Sequence, residues 1–537
     1  MLVKTYGSAV YGIHATTITV EVNLGTGINF YLVGLPDSAV KESHKRIVAA
    51  LRNCKFNNPR HEITVNMAPA DIRKEGSAYD LPIALGILAG SAQVNQERLG
   101  EYVIMGELSL DGGVQPIKGV LPIAIQAQKE GFKGVILPAA NAREAAIVGG
   151  LEVYGVETIK EVVEFLNGDR QLERQTIDVE AEFRQSQERY EFDFADVKGQ
   201  ENIKRAMEVS AAGGHNLILI GPPGAGKTML AKRLPTILPP LTLEEALETT
   251  KIHSVAGKLG KHASLVSVRP FRSPHHTISD VALVGGGMFP QPGEISLAHH
   301  GVLFLDELPE FKRGVLEVMR QPLEERVVTI SRARFSIEYP ASFMLIASMN
   351  PCPCGFYNHP EKQCVCGPGV VQKYLNKISG PLLDRIDLHL EVTPVPFKEL
   401  SQERVSERSE SIRARVVAAR KRQAERYAAY PGIYCNAQMS SQLLQEICVI
   451  GNEGKQLLKT AMERLGLSAR AYDRILKVSR TIADLDGSEQ IRTNTSPKPF
   501  NTAAWTGMAG QGRCLTVSGV RYAVGSWQLA ESRSLNE

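Results

Sequence analysis

The chain has 537 residues, 43% of them hydrophobic and 22% charged, with a formal net charge of +3. Such a chain can bury roughly two to four cores, and so mild a charge is by itself no argument for a nucleic-acid partner. No run approaches the ~20 apolar residues of a membrane helix, and the first residues lack a leader pattern, so a cytoplasmic protein without a membrane partner is expected.

Residues 1–168 alternate short β-branched runs, as at 17–22, with helical stretches such as 38–51 and 80–92, which predicts a separate α/β domain. Within it, Lys74-Glu75-Gly76-Ser77-Ala78-Tyr79-Asp80-Leu81, then 106–110 and 114–117, resemble the proteolytic domain of Lon proteases. That family cuts peptides with a serine and lysine pair. A gapless match puts Ala78 at the nucleophile's position and Leu121 at the lysine's, so the resemblance implies a domain without the dyad. Ser77, one position away, lacks a lysine partner, and docking or assembly is the expected role. The polar, charge-rich stretch 169–191 reads as a linker.

Residues 192–396 carry the strongest signal. The apolar strand Leu217–Ile220 runs into Gly221-Pro222-Pro223-Gly224-Ala225-Gly226-Lys227-Thr228, a glycine-rich turn with a helix expected from Lys227. Free N–H groups of such a turn wrap phosphates, the lysine neutralises the β and γ groups, and the threonine hydroxyl holds Mg²⁺. Downstream, the apolar run 301–305 ends in Asp306 and Glu307. At a parallel strand's C-terminal end, Asp306 would hold Mg²⁺ through water, and Glu307 would orient the water that attacks the γ-phosphate. The next strand, 342–348, delivers Asn350 to the same edge; the alternative is an asparagine that turns the chain before Pro351.

Cys352-x-Cys354 and Cys364-x-Cys366 follow, flanked by prolines and glycines. Four thiolates at these spacings can close a tetrahedral structural Zn²⁺ site, although C-x-C is less typical of zinc than C-x-x-C. Free thiols are the alternative. Gly380-Pro381-Leu382-Leu383-Asp384-Arg385 then places an arginine after a predicted short helix.

Together these residues resemble the AAA+ ATPases, where an asparagine and an arginine finger occupy the places of Asn350 and Arg385. The likeness implies that Arg385 reaches the nucleotide of a neighbouring copy, hence a homo-oligomeric ring; the alternative is a salt bridge to Asp384 or Asp387. Arg470 in Leu467-Ser468-Ala469-Arg470-Ala471 resembles the superfamily's lid arginine, against a plain surface arginine.

The connection from Thr228 to Val302 exceeds what a crossover helix requires, and it holds Phe271-Arg272-Ser273-Pro274-His275-His276 and 292–299. These segments resemble the magnesium-chelatase-like branch of AAA+ proteins, and residues 1–494 resemble the ComM/YifB family. The resemblance implies ATP-driven movement of branched DNA in recombination; a chelatase-like motor subunit driving a partner enzyme is the alternative. His275 and His276 are expected to be solvated or hydrogen-bonded rather than metal ligands.

Residues 397–494 read as a helical lid, with helices over 401–427 and 454–484, and with Arg413, Arg415, Arg420, Lys421 and Arg422 on a solvated face. After Asn494 the helical pattern stops, and both tryptophans, Trp505 and Trp527, lie beyond it. The expected cause is a shifted reading frame, which the codons of the gene decide. With suitable codons and one restored base, the stretch from Thr495 reads His-Ile-Ala-Glu-Ala-Ile-Gln-Tyr-Arg-Ser-Leu-Asp, which looks like the family's final helix. The expected fold class is therefore α/β: a Lon-like α/β domain, an AAA+ parallel-sheet core and a helical lid.

Overall fold

The computed structural model describes residues 1–491, except 60, 187–189, 261–263, 288–289, 333–334, 358, 360, 396–405 and 466–467, together with 515–517 and 520–522. The tail after Asn494 thus lies outside the described residues apart from two three-residue strands, Leu515–Val517 and Val520–Tyr522.

The first 168 residues build a seven-stranded mixed sheet. Leu2–Tyr11 and His14–Gly25 form an antiparallel hairpin, closed at Gly12 with a left-handed φ of +64°. Ile18, Val20 and Val22 alternate inward and are fully buried, the period-two pattern of a strand with one covered face. The helix Asp80–Gly90, apolar all round, lies against these strands; a Cβ at Gly86 would stand 2.5 Å from Val22. The segment read as a linker carries the helix Val179–Ser186, and Leu172, Ile177 and Val179 rest on this first core. A few irregularly spaced apolar anchors suffice for that docking, which periodicity does not reveal.

The second sheet has five parallel strands in the order Phe271–Arg272, Val302–Leu305, Met344–Met349, Leu217–Ile220, Leu388–Glu391. The three strands expected here form within two residues of their predicted bounds. Each is buried on both faces, which explains the unbroken apolar runs. The phosphate-loop strand, first of the five in chain order, lies between the fourth and the fifth, so the crevice at the carboxyl ends of the sheet opens beside it.

The long connection before Val302 includes the helix Leu243–Val255, started by a capping box of Thr242 and Glu245. It packs against Val120–Lys129 of the first unit. There Ser254 donates to the buried Glu144 carboxylate, and the Gly119 N–H reaches the Ser254 carbonyl at 3.2 Å.

The lid comprises Ser409–Tyr427, Ser441–Ile447, Asn452–Leu465 and Ala469–Leu485. The stretch 454–484 is two helices rather than one, because Ser468 caps a new helix by accepting the Ala471 N–H. The basic run also departs from expectation. Arg415 pairs with Glu208 and Glu407, Arg420 donates to the Ala211 carbonyl, and Arg422 donates to the Asp484 carbonyl. These arginines fasten the lid's first helix to its last and to Glu201–Gly213, which charge pattern alone does not show.

Asp484 is fully buried, accepting from Arg426, Arg480 and the Asn436 amide. Asp484→Ala leaves two arginines without their counter-charge. It is expected to cost the lid about 3–5 kcal/mol, read as a lowered midpoint in a urea melt.

Candidate nucleotide site

The site lies at the carboxyl ends of three adjacent strands. Gly221 ends the first; a Cβ there would meet the Val392 carbonyl oxygen at 2.2 Å, so only glycine fits. Gly224 and Gly226 hold φ of +80° and +86°, the left-handed turns that fold the loop back before the helix Lys227–Arg233 begins. That strand-turn-helix order is the one the spacing predicts.

Lys227 is buried under its own loop. Its Nζ donates to the Gly221 carbonyl at 2.7 Å, the Pro222 carbonyl at 3.0 Å and Asn350 Oδ1 at 3.0 Å. Burial lowers its pKa from the usual lysine value, against the pull of Asp306 and Glu307. The neighbouring Thr228 hydroxyl donates to Asp306 Oδ2 at 2.8 Å. The other oxygen of Asp306 accepts from the Glu307 N–H at 3.0 Å and from the Ser348 hydroxyl. Thr228 and Asp306 thus present two oxygens side by side, a donor set that fits Mg²⁺, which favours carboxylate and hydroxyl oxygen. When bound, that ion neutralises charge on the phosphate oxygens.

Glu307 adopts a left-handed φ of +52°, unusual for a residue with a side chain, just where the strand gives way to the turn Leu308–Glu310. This kink separates two consecutive acids: Asp306 faces Thr228, while the half-exposed Glu307 carboxylate stands 3.7 Å from His276 Nδ1. His276, expected as a loop histidine without a role, is therefore a neighbour of the candidate catalytic acid. Ser348 is a second residue missed, hidden within an apolar strand.

Arg385 follows the short helix Gly380–Leu383. Its guanidinium pairs with Glu324 Oε1 at 2.6 Å and donates to the Pro381 carbonyl at 2.5 Å. The intrachain partner is thus Glu324, not Asp384 or Asp387. Asp387 instead accepts the Asn216 N–H at 3.0 Å, where the phosphate-loop strand begins. On the lid, Arg470 is exposed in the first turn of Ala469–Leu485. One turn on, Arg474 bonds the Ile386 carbonyl at 2.9 Å and Asp384 at 3.4 Å. Arg474 joins lid to core, a contact only the tertiary fold reveals.

Two further groups of metal-type side chains occur among the described residues. The sulfurs of Cys352, Cys354, Cys364 and Cys366 all lie within 4.8 Å of one another. The second group is Glu248, His299 and His300. His299 Nδ1 accepts the Ser342 N–H at 2.9 Å, so the ring's proton sits on Nε2, which faces Glu248 at 3.2 Å. That nitrogen has no lone pair for a cation, and the group is a polar brace around the buried His299. In the first unit, Ser77 donates to Glu107, and Leu121 is buried within Val120–Lys129.

Family comparisons agree with this geometry. The profile described as "Magnesium chelatase, subunit ChlI" matches residues 193–400, "Subunit ChlI of Mg-chelatase" matches 20–141, and "Magnesium chelatase, subunit ChlI C-terminal" matches 406–496. Competence protein ComM of Haemophilus influenzae is 45% identical over 494 residues, 91% of this chain and 95% of its own length. The chain belongs to the ComM/YifB family. YifB of Escherichia coli is 44% identical over 485 residues, covering 90% of this chain and 93% of its own. The magnesium-chelatase-like AAA+ core of the ComM/YifB family is an ATPase motor that uses ATP and Mg²⁺. Lon protease 2 of Bacillus subtilis is 30% identical over 129 residues, 24% of this chain, so the Lon likeness is partial. No helix among the described residues is long and apolar enough to cross a membrane.

Proposed function

We propose that this protein is a cytoplasmic, homo-oligomeric AAA+ ring that hydrolyses ATP to move branched DNA in recombination or transformation. The observation that carries the reading is the convergence of Lys227, Thr228, Asp306, Glu307 and Asn350 at one sheet edge, in a chain that covers nearly all of a relative named for competence. In this reading Lys227 exchanges its loop carbonyls for the β and γ phosphates, and Thr228 and Asp306 hold Mg²⁺. Glu307 accepts the proton of the attacking water, and Asn350 reports on the γ-phosphate. Arg385 leaves Glu324 to stabilise the transition state in the neighbouring copy, while Arg470 closes the lid. Residues 1–168 form an assembly module, 192–396 the motor and 397–494 the lid. The four cysteines make a candidate structural zinc centre beside the motor.

The DNA assignment is tested by steady-state hydrolysis without DNA, with duplex and with a four-way junction. The junction is expected to raise turnover most, and Glu307→Gln to abolish the response. Equal rates in all three would favour the chelatase-like alternative, for which the 25% identity over 251 residues to magnesium-chelatase subunit ChlI of Guillardia theta speaks.

A further inference from the structure

Four sulfurs converge in the loop that follows Asn350. Cys352 and Cys354 are 3.3 Å apart, Cys354 and Cys364 3.5 Å, Cys352 and Cys364 3.8 Å, and Cys366 completes the group. Zinc–sulfur bonds of about 2.3 Å in a tetrahedron put ligand sulfurs about 3.8 Å apart. Disulfides would need about 2.05 Å. The three separations therefore fit the edges of one metal tetrahedron slightly contracted, and fit no sulfur–sulfur bond.

Cys352 is fully buried and shares an apolar cluster with Met349, Val371 and Tyr374, which anchors the knuckle on the core.

This knuckle touches the phosphate loop. Gly355, at φ +84°, lies so close to Pro223 that a Cβ would stand 2.4 Å from Pro223 Cδ. Met349, three residues before the first cysteine, accepts the Gly221 N–H at 3.2 Å, and Asn350 binds Lys227. Gly221, Pro223 and Lys227 are thereby each held by residues 349–355.

We propose that Cys352, Cys354, Cys364 and Cys366 bind one zinc ion as thiolates, releasing their protons to solvent, and that this metal knuckle braces the phosphate loop for nucleotide. The second half rests on the motor reading. Removing the metal frees the 352–366 loop and with it the wall behind Pro223, so nucleotide affinity falls while the sheet stays folded.

The test uses the full chain. Metal analysis is expected to find one zinc per chain, and cobalt replacement to give the charge-transfer and d–d bands of a tetrahedral thiolate site. Cys364→Ser with Cys366→Ser removes both signals. Affinity for a fluorescent ATP analogue is expected to weaken at least about tenfold in wild-type protein stripped by chelator, and to return on adding zinc. Lys227→Ala is expected to lose the nucleotide and keep the metal. Protein that takes up neither zinc nor cobalt under reducing conditions overturns the site. Unchanged affinity after stripping, with folding verified by circular dichroism, overturns the brace. Zinc-loaded wild type that binds no nucleotide removes the motor reading and leaves the metal site standing.

Discussion

Glu307→Gln is expected to leave ATP bound at wild-type affinity and to lower turnover by about 10²–10⁴-fold, the range for losing a positioned proton acceptor. Glutamine matches glutamate in size, so the left-handed turn at residue 307 and the Asp306–Thr228 contact persist. What disappears is the negative charge proposed to polarise water. Single-turnover phosphate release and equilibrium nucleotide binding, measured together, separate these effects. A parallel loss of binding would mean that Glu307 shapes the pocket rather than acts in it. His276, 3.7 Å away, bears on the same carboxylate, and His276→Ala is expected to lower turnover less than the glutamine variant does.

Arg385→Ala is expected to reduce turnover by about 10³–10⁵-fold, an effect to be read on folded protein because the guanidinium is only 14% exposed and also holds Glu324 and the Pro381 carbonyl. Lysine should not restore activity, since a point charge does not reproduce a planar fork of donors. The decisive arrangement mixes Arg385→Ala chains with Lys227→Ala chains. Each is inactive alone, but a finger acting between copies lets intact Lys227 on one chain meet intact Arg385 on the next. Hydrolysis returns in the mixture. If Arg385 serves only its own chain, mixing restores nothing.

The phosphate loop and the acidic pair were legible in the sequence because their chemistry is local. Eight consecutive residues set the glycine turns and the helix start, and an apolar strand followed by Asp306 and Glu307 fixes where the acids emerge. The parallel core strands were legible for the same reason: burial on both faces leaves continuous apolar runs. Residues whose partners come from distant elements were not. Ser348 reads as part of a hydrophobic strand until Asp306 is placed beside it, and His276 reads as loop until Glu307 arrives from 31 positions along the chain. Charge pattern suggested a solvated face on the first lid helix, yet Arg415, Arg420 and Arg422 hold other helices. Patterning cannot distinguish an arginine facing water from one facing a carbonyl. The lid contact made by Arg474 carries no local signal, because its partners, the Ile386 carbonyl and Asp384, lie far away in the chain. The similarity to the C-terminal family profile ends at residue 496, where the helical pattern of the sequence also breaks.

The most direct measurement is radiolabelled ATP retention and phosphate release by wild-type protein and by Lys227→Ala, in Mg²⁺ and in chelator. Wild type is expected to retain ATP and release phosphate only with Mg²⁺, and Lys227→Ala to do neither. Wild type that releases no phosphate, or a Lys227→Ala chain that hydrolyses as well as wild type, would contradict the assignment of this pocket.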